Sequence, residues 1–473
     1  MKKIFIYIIL LFGIFSCDDI LTVSDPDSLS PDLALSELKG YESVLASAYN
    51  RVHNFGWMGQ NGILAPEVLA DNMDFANFTG RYETEYVNAV RSHMGRWGLF
   101  RGINDCNILI NKIDDLEGLT AEEIATKEIL KGEAYFLRAL HFHDQAKVYG
   151  YEPGQEVNGF NLTTPIRTSP TEGVSDALNV HPRASNAEMY SQIKDDLNNA
   201  ITRLSGLTND DAPYRVGEES CHALLSRVLL FEGDYSGAAA EAELALSTNK
   251  HAELTTVLDH INSWKIAPHP ESFFEIEIRA TDWSTVDGVN SSVSSLTNNL
   301  EAGSQFILVA SPELLAAVNS EANDIRQGVY SDVAGIPMGT KKCNKWNGEA
   351  GDYRENLPIL RYSEVLLIAA EGYSRSGNDL KAQEKVNELR VARGLPETTA
   401  TGINLTNLIM KERRVELAIE GHRWFDLKRL GLNIPKSAAS QQPTLNYTDF
   451  RILANLPESE LNLNDLLVQN PGY

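Results

Sequence analysis

Residues 412–431 read ERRVELAIEGHRWFDLKRLG, which brings Glu412, Glu416, Glu420, Asp426, His422 and Trp424 together among arginines. Two chemistries would use such a set. General acid/base catalysis needs two carboxylates facing each other across a substrate, about 5 to 10 Å apart. A metal centre needs three or four ligands converging on one point. The spacing fits neither. Glu412, Glu416 and Glu420 recur every four residues, which on a helix sets them along one stripe, with Arg413 placed to pair with Glu416 and Arg423 with Glu420. Arginines beside carboxylates stabilise the charged form and lower the pKa, the wrong state for a proton donor. Leu417, Gly421, Trp424 and Phe425 form an adjacent apolar stripe. His422 and Asp426 lie four apart but have no third ligand at a useful spacing. The stretch is therefore expected to be scaffold, a helix locked into its framework by partly buried ion pairs.

The rest of the chain carries no catalytic signature. His141 and His143, two apart in a helical pattern, point to different faces and cannot share a metal. There is no HExxH, no GxSxG and no phosphate-binding GxxxxGKS or GxxxxGKT. The acids in DNMDF and NDD are of a kind common in loops. No catalytic residue, metal ligand or cofactor is assigned, and the chain is expected not to be an enzyme.

What positions these residues begins at the N-terminus, MKKIFIYIILLFGIFSC. Two lysines precede an apolar run from Ile4 to Phe15, then Ser16 and Cys17. A bilayer-spanning helix takes about 20 apolar residues, so this run is too short to be an anchor. A basic start, a short apolar core and a small residue before a cleavage point make a secretory signal. A cysteine just beyond that point is the lipoprotein pattern, with Cys17 as the lipidated N-terminus of the mature chain. Asp18, Asp19 and the acidic, proline-bearing ILTVSDPDSLSPD then suit a tether. The mature protein is expected to sit on a membrane without crossing it.

The chain has 473 residues and a net charge of −24. An acidic surface repels phosphate backbones, so nucleic acid is excluded as a partner. With Cys17 lipidated, Cys106, Cys221 and Cys343 cannot all pair with one another, and no CxxC suggests zinc or redox chemistry. They are expected to be small buried hydrophobes.

Helical spacing recurs in SELKGYESVLASAYNRV, in WGLFRGINDCNILINKI, in GEAYFLRALHFHDQAKVYG and from Ala187 to Leu204. Two later segments match each other. Gly233 is followed by Ala238 and Ala245, and Gly377 by Ala382 and Leu389, at the same offsets. A glycine turn between helices, with small residues where the second packs on the first, describes a tetratricopeptide-like hairpin. Between the two lies a different texture: a strand-like SFFEIEI, Gly-, Ser- and Asn-rich loops, and Trp264, Trp283 and Trp346. Long irregular loops in a helical protein usually carry recognition.

Taken together, the Cys17 start, GEAYFLRALHFHDQAKVYG, NLPILRYSEVLLIAAEGY, ERRVELAIEGHRWFDLKRLG and the terminal LPESELNLNDLLVQNPGY resemble the SusD/RagB family of outer-membrane nutrient-binding lipoproteins. The resemblance covers nearly the whole chain. It implies a mainly α fold, with a tetratricopeptide-like helical-hairpin framework, a loop-rich insertion and a few short strands. It divides the chain into a signal peptide at 1–16, a lipidated tether at 17–32, an N-terminal helical region at 33–248, a loop-rich ligand-facing region at 249–355 and a C-terminal region at 356–473. It implies a non-catalytic, cell-surface protein that binds oligosaccharides, or less often peptides, and hands them to a TonB-dependent transporter of the SusC type. The alternative from another class is a surface-anchored glycoside hydrolase whose site is scattered in sequence. Members that bind long glycans often carry a dense aromatic platform; this chain departs from them, with six tryptophans and no obvious cluster.

A sugar site needs aromatic rings for the apolar face of a pyranose and polar groups for its hydroxyls, on exposed loops. APEVLADNMDFANFTGRY supplies Asp71, Asn72, Asp74, Phe75 and Arg81, near where the family's ligand face lies. Trp283 and Trp346 are the aromatic candidates of the inserted region. Either tryptophan suits a core equally well, and Asp71 and Asn72 equally suit a helix cap.

Overall fold

Apolar residues three and four apart become buried stripes. Tyr41, Leu45 and Val52 do so on α1, Leu38–Val52, and Ile103, Cys106, Leu109 and Ile110 on α3, Phe100–Lys112. Between them α2, Asn61–Val68, is buried on every side. The computed structural model of the chain describes residues 31–91, 94–207, 211–282, 285–300, 303–333, 335 and 339–473. The signal peptide, Cys17, Asp18, Asp19 and Trp283 lie outside the described residues.

The longest helix is α4, Ala121–Tyr149. It starts eleven residues before the GEAYF stretch because Thr120 and Glu123 form a capping box: the Thr120 hydroxyl accepts the Glu123 N–H and the Glu123 carboxylate accepts the Thr120 N–H. The same device, Ser185 with Glu188, opens α5, Asn186–Leu204. α4 packs between α3 and α5.

The matched segments are hairpins. α6, Glu218–Glu232, and α7, Tyr235–Thr248, turn at Gly233; α8, Tyr362–Arg375, and α9, Asp379–Ala392, turn at Gly377. Both glycines have φ of 86°, a left-handed conformation that a side chain would strain. Ala238, Ala245, Ala382 and Leu389 are fully buried where the second helices meet the first. α7 also packs against α8, so the hairpins stack although the whole insertion separates them in sequence. Gly372 permits this approach, since a Cβ there would stand 2.6 Å from the Tyr235 carbonyl oxygen. The fold is mainly α, on a tetratricopeptide-like framework.

Strands join the insertion to this framework. β1, Met73–Phe75, β3, Leu308–Ala310, β4, Tyr330–Asp332, and β5, Lys341–Cys343, form an antiparallel sheet in the order β1-β3-β5-β4. The register sets Asp74 opposite Val309 and Phe75 opposite Leu308. β2, Ser272–Ile276, pairs with β6, Leu357–Arg361, directly before α8. Both faces of β2 are covered, so Glu275 is buried; its carboxylate accepts from Ser272 Oγ, Asn356 Nδ2 and the His269 N–H.

The stretch 412–431 is not one helix, contrary to its spacing. α10, Gly402–Glu416, stops, residues 417–422 turn, and α11, Arg423–Arg429, begins. Ile419 and Gly421 take left-handed φ of 61° and 86° in this turn. The cause lies on α2. The Glu67 carboxylate accepts the N–H groups of Ile419, Gly421, His422 and Arg423, which a continuous helix would have used internally. Glycine is required at 421 because a Cβ would stand 2.3 Å from the Gly62 carbonyl oxygen.

Cys106, Cys221 and Cys343 are free and buried, as expected. Among the described residues no helix is long and apolar enough to cross a membrane.

Candidate functional site

The carboxylates of 412–420 are scaffold, but with partners other than those their spacing predicts. Glu416 sits between Arg393 at 2.9 Å, Arg361 at 3.5 Å and Arg326 at 3.5 Å. Glu412 pairs with Arg326 at 2.6 Å and with Arg390, and Glu420 with Arg361 at 2.8 Å and with Lys345. Glu271, just before β2, closes the network with Arg361 at 2.7 Å and Arg393 at 2.8 Å. Arg413 does not reach Glu416; it pairs with Asp426 at 2.8 Å and Glu364 at 3.5 Å. Arg423 pairs not with Glu420 but with Asp71 at 2.7 Å. The turn at 417–422 rotates Glu420 and Arg423 off the stripe, which accounts for the second correction; in the first, Arg413 turns to Asp426 and Glu364 while Glu416 is taken by Arg393. Trp424 is buried in the core, as its apolar stripe predicts.

This hub has no free acid to offer. Burial opposes the charge of Glu416, yet Arg393, His260 and Arg361 outweigh it and hold its pKa well below the usual range. Glu271, His260 and Glu416 present their ligand atoms within 4.8 Å of one another, the spacing of a metal site. Arg393 bonds both carboxylates, however, and Arg361 stands beside both, so cationic groups already fill the role of a dication. His422, buried near Arg413 and Glu364, has its pKa lowered to about 4, chiefly by burial, and remains neutral near pH 7.

Four of the expected ligand contacts are also buried, which corrects the reading of DNMDF as an exposed loop. Asp71 pairs with Arg423 and Arg414. Asn72 donates to Glu67 at 2.7 Å and accepts from Arg414 at 3.0 Å. Asp74 accepts from Tyr86 Oη at 2.5 Å and Ser437 Oγ at 2.7 Å. Trp346 is 2% exposed, donates through Nε1 to the Ile419 carbonyl and packs against Trp264. For Asp74 the physical reason is sheet pairing: β1 lies against β3, and the Asp74 side chain turns inward to Ser437, while Asp71 and Asn72 just before it are held by arginines of the C-terminal region.

Phe75 and Arg81, both half-buried, remain at the surface, and the loop between them carries a residue that the sequence reading passed over. Phe78 is 71% exposed and lies over Phe75, with ring centroids 4.6 Å apart and planes 30° from parallel. Phe75 meets Tyr86 edge-on at 4.9 Å, and the Lys436 ammonium stands 5.6 Å from the Tyr86 ring. A solvent-facing aromatic is thus backed by rings that cannot move away. The signal for Phe78 was its place in FANFTG, an aromatic beside a glycine turn; Gly80 has φ of 86°.

The loop is tied to the insertion. Ala76 N–H donates to the Ile307 carbonyl at 2.8 Å, Asn77 Nδ2 to the Phe306 carbonyl at 2.9 Å, and Arg81 Nη1 to Gln305 Oε1 at 3.1 Å. Gln60, fully buried, accepts from Arg81 Nη2 at 2.6 Å while donating to the carbonyls of Asn290 and Ser292. Gln305 in turn donates to Asn290 Oδ1 at 2.7 Å. No local pattern marks Gln60 or Gln305. The result is one face with an aromatic platform, an arginine and amides.

A cleft of about 720 Å³ opens between α3, the 165–181 loop and residues 457–467. Its amides are engaged by its own walls: Asn104 bonds Thr171 twice, and Asn107 holds the carbonyls of Arg167 and Ser169. Its exposed lining is mainly aliphatic, Val174, Leu178, Val180 and Leu463, with Arg101 and Ser459 among its exposed polar groups. Such a surface offers sugar hydroxyls little, so the Phe75–Arg81 face is the better candidate.

Known proteins resemble the chain throughout. A profile of the SusD family matches residues 335–473, and a second, described as starch-binding and associating with the outer membrane, matches residues 30–230. SusD-like protein P38 of Formosa agariphila is 24% identical, over 99% of this chain and 98% of its own length. A SusD superfamily protein from Bacteroides vulgatus superposes with a TM-score of 0.81 at 24% identity, covering 92% of this chain and 99% of that one. A laminarin-binding SusD-like protein superposes with a TM-score of 0.72 at 22% identity, covering 93% and 100%. With a stacked-hairpin framework and profiles matching both ends, the chain belongs to the SusD/RagB family.

Proposed function

We propose that this protein is a non-catalytic, lipid-anchored protein of the outer membrane, facing the cell exterior. There it binds extracellular oligosaccharides and passes them to a TonB-dependent transporter of the SusC type. The observation that carries the reading is Phe78, exposed and stacked on Phe75 beside Arg81 and Gln305. A pyranose ring lies flat on such a platform while its hydroxyls meet amide and guanidinium groups. The laminarin-binding relative supports the ligand class. The lipoprotein pattern at Cys17 and the family's association with the outer membrane support the location.

The same arrangement disfavours hydrolysis. Of the carboxylates near the platform, Asp71 and Asp74 are buried and held by Arg423, Arg414, Tyr86 and Ser437, and Glu83 accepts the Gly80 N–H. No pair of them stands open across a bound sugar.

Two experiments test the reading. Cys17→Ala should move the protein from the outer membrane to the soluble fraction; a variant that still floats with membranes contradicts the anchor. The purified protein, screened against glycans and peptides, should bind oligosaccharide and release no reducing ends on long incubation. Release of reducing ends would establish a hydrolase, and retention of peptides alone would change the ligand class.

A further inference from the structure

The Phe75–Arg81 face treats positive charge differently from the buried hub around Glu416. Arg81 is half-buried, and its two hydrogen bonds go to neutral oxygens, Gln305 Oε1 at 3.1 Å and Gln60 Oε1 at 2.6 Å. No carboxylate among the described residues pairs with it. Lys342 on β5 repeats the pattern on the same 290–306 segment, donating to Asn298 Oδ1 at 2.8 Å and Asn299 Oδ1 at 2.9 Å, again with no acidic partner among the described residues. This occurs in a chain with 65 acidic against 41 basic residues, where Arg326, Arg361, Arg393 and Arg429 all meet carboxylates.

Burying a cation without an anion is unfavourable, and burial does lower the pKa of both Arg81 and Lys342. Among the described residues Arg167, Arg183 and Lys436 also lack acidic partners, but Arg167 bonds the Thr171 hydroxyl and the Asp176 carbonyl away from any stacked aromatic pair, and several main-chain carbonyls surround each of the other two. Arg81 differs. A guanidinium has five N–H donors, and the two glutamines orient it while engaging two of them. The other three have no partner among the described residues, and the same loop carries the exposed Phe78. A planar, oriented guanidinium with open donors is matched by a carboxylate or a sulfate.

Resting on the saccharide reading of this face, we propose that the ligand is an anionic glycan, bearing uronate carboxylates or sulfate groups, and that Arg81 is its charge-reading contact. A net charge of −24 repels such a polymer in general, so an unneutralised arginine beside the aromatic platform supplies local attraction where the ring would hold the sugar. Gln60 and Gln305 position that arginine without neutralising it.

The test titrates the full chain in detergent with three probes: oligogalacturonate, a sulfated galactan oligosaccharide and a neutral β-1,3-glucan oligosaccharide. Expected is tighter binding of one or both anionic probes than of the neutral one, weakening about tenfold between about 50 and about 500 mM NaCl. Which anionic probe binds separates carboxylate from sulfate. Arg81→Gln should lower that affinity about tenfold and flatten its salt dependence, Arg81→Lys should recover part of the loss, and the melting temperature should hold. Preference for the neutral probe, or anionic binding indifferent to salt and to Arg81→Gln, overturns the inference and leaves the saccharide reading standing. Binding of none of the three overturns both. The wild-type salt dependence decides the matter even if Arg81→Gln does not fold.

Discussion

Arginine does opposite work in two regions of this molecule. Around Glu416, Arg326, Arg361 and Arg393 meet carboxylates on every side and are closed off from water. On the Phe75–Arg81 face, Arg81 meets only glutamine oxygens and is half-open. The first region is the densest cluster of charge in the sequence; the second is sparse and has no motif. A crowd of acids and bases on framework helices neutralises itself, whereas the loop proposed for recognition keeps groups with few partners.

The largest effects are expected at the hub. Glu416→Ala removes the carboxylate that Arg326, Arg361 and Arg393 share, leaves their buried charge only partly compensated, and should cost about 3 to 5 kcal/mol, measured by denaturant unfolding. A loss under about 1 kcal/mol would mean that the hub is wetter and weaker than its geometry implies. Trp424→Ala should cost a similar amount, about 3 to 5 kcal/mol, through the cavity it leaves beside the turn. If it melts like the parent yet binds no saccharide, the C-terminal region belongs to the site after all.

A smaller effect separates paired from unpaired buried acids by pH. Burial opposes the charge of Glu364, but Arg227, His422 and Arg413 bring its pKa down from 4.5 to about 2. Its folded pKa is depressed, so its contribution is present above pH 4.5 and is lost as pH falls from there toward about 2. Glu275, which has no cation beside it, goes the other way: burial pushes it up from 4.5 to about 7. Its contribution is therefore full below pH 4.5 and lost as pH rises from there to about 7. Glu275→Gln should flatten that upper slope and stabilise the protein at pH 8 by about 1 to 3 kcal/mol, read from melting curves across pH. An unchanged slope would show that Glu275 ionises without penalty.

The framework was legible because its signals are local. Gly233 and Gly377, with their alanines at matched offsets, could pack only as hairpins, and the heptad-like stripes of α1 and α3 face the core as their spacing requires. What the sequence did not disclose depends on contacts distant along the chain. Glu67 on α2 breaks the 412–431 helix from more than three hundred residues away, and the partners of Glu420 and Arg423 change with it. Asp71, Asn72 and Asp74 looked like loop residues because β1 is only three residues long and its partner strand lies in the insertion. Of the expected ligand contacts, Phe75 and Arg81 keep their place at the surface. Phe78, one turn away, was passed over because a single exposed phenylalanine is unremarkable until its stacking partner is seen.

Phe78→Ala should have the smallest effect on stability of all, within about 1 kcal/mol, because the ring is exposed. It also probes the binding face itself. Saccharide affinity, by titration with the probe that binds the parent best, and melting temperature should be measured together on this variant. The account predicts an affinity loss of about tenfold or more at an unchanged melting temperature. An affinity equal to the parent's would contradict it and move the binding face elsewhere on the molecule.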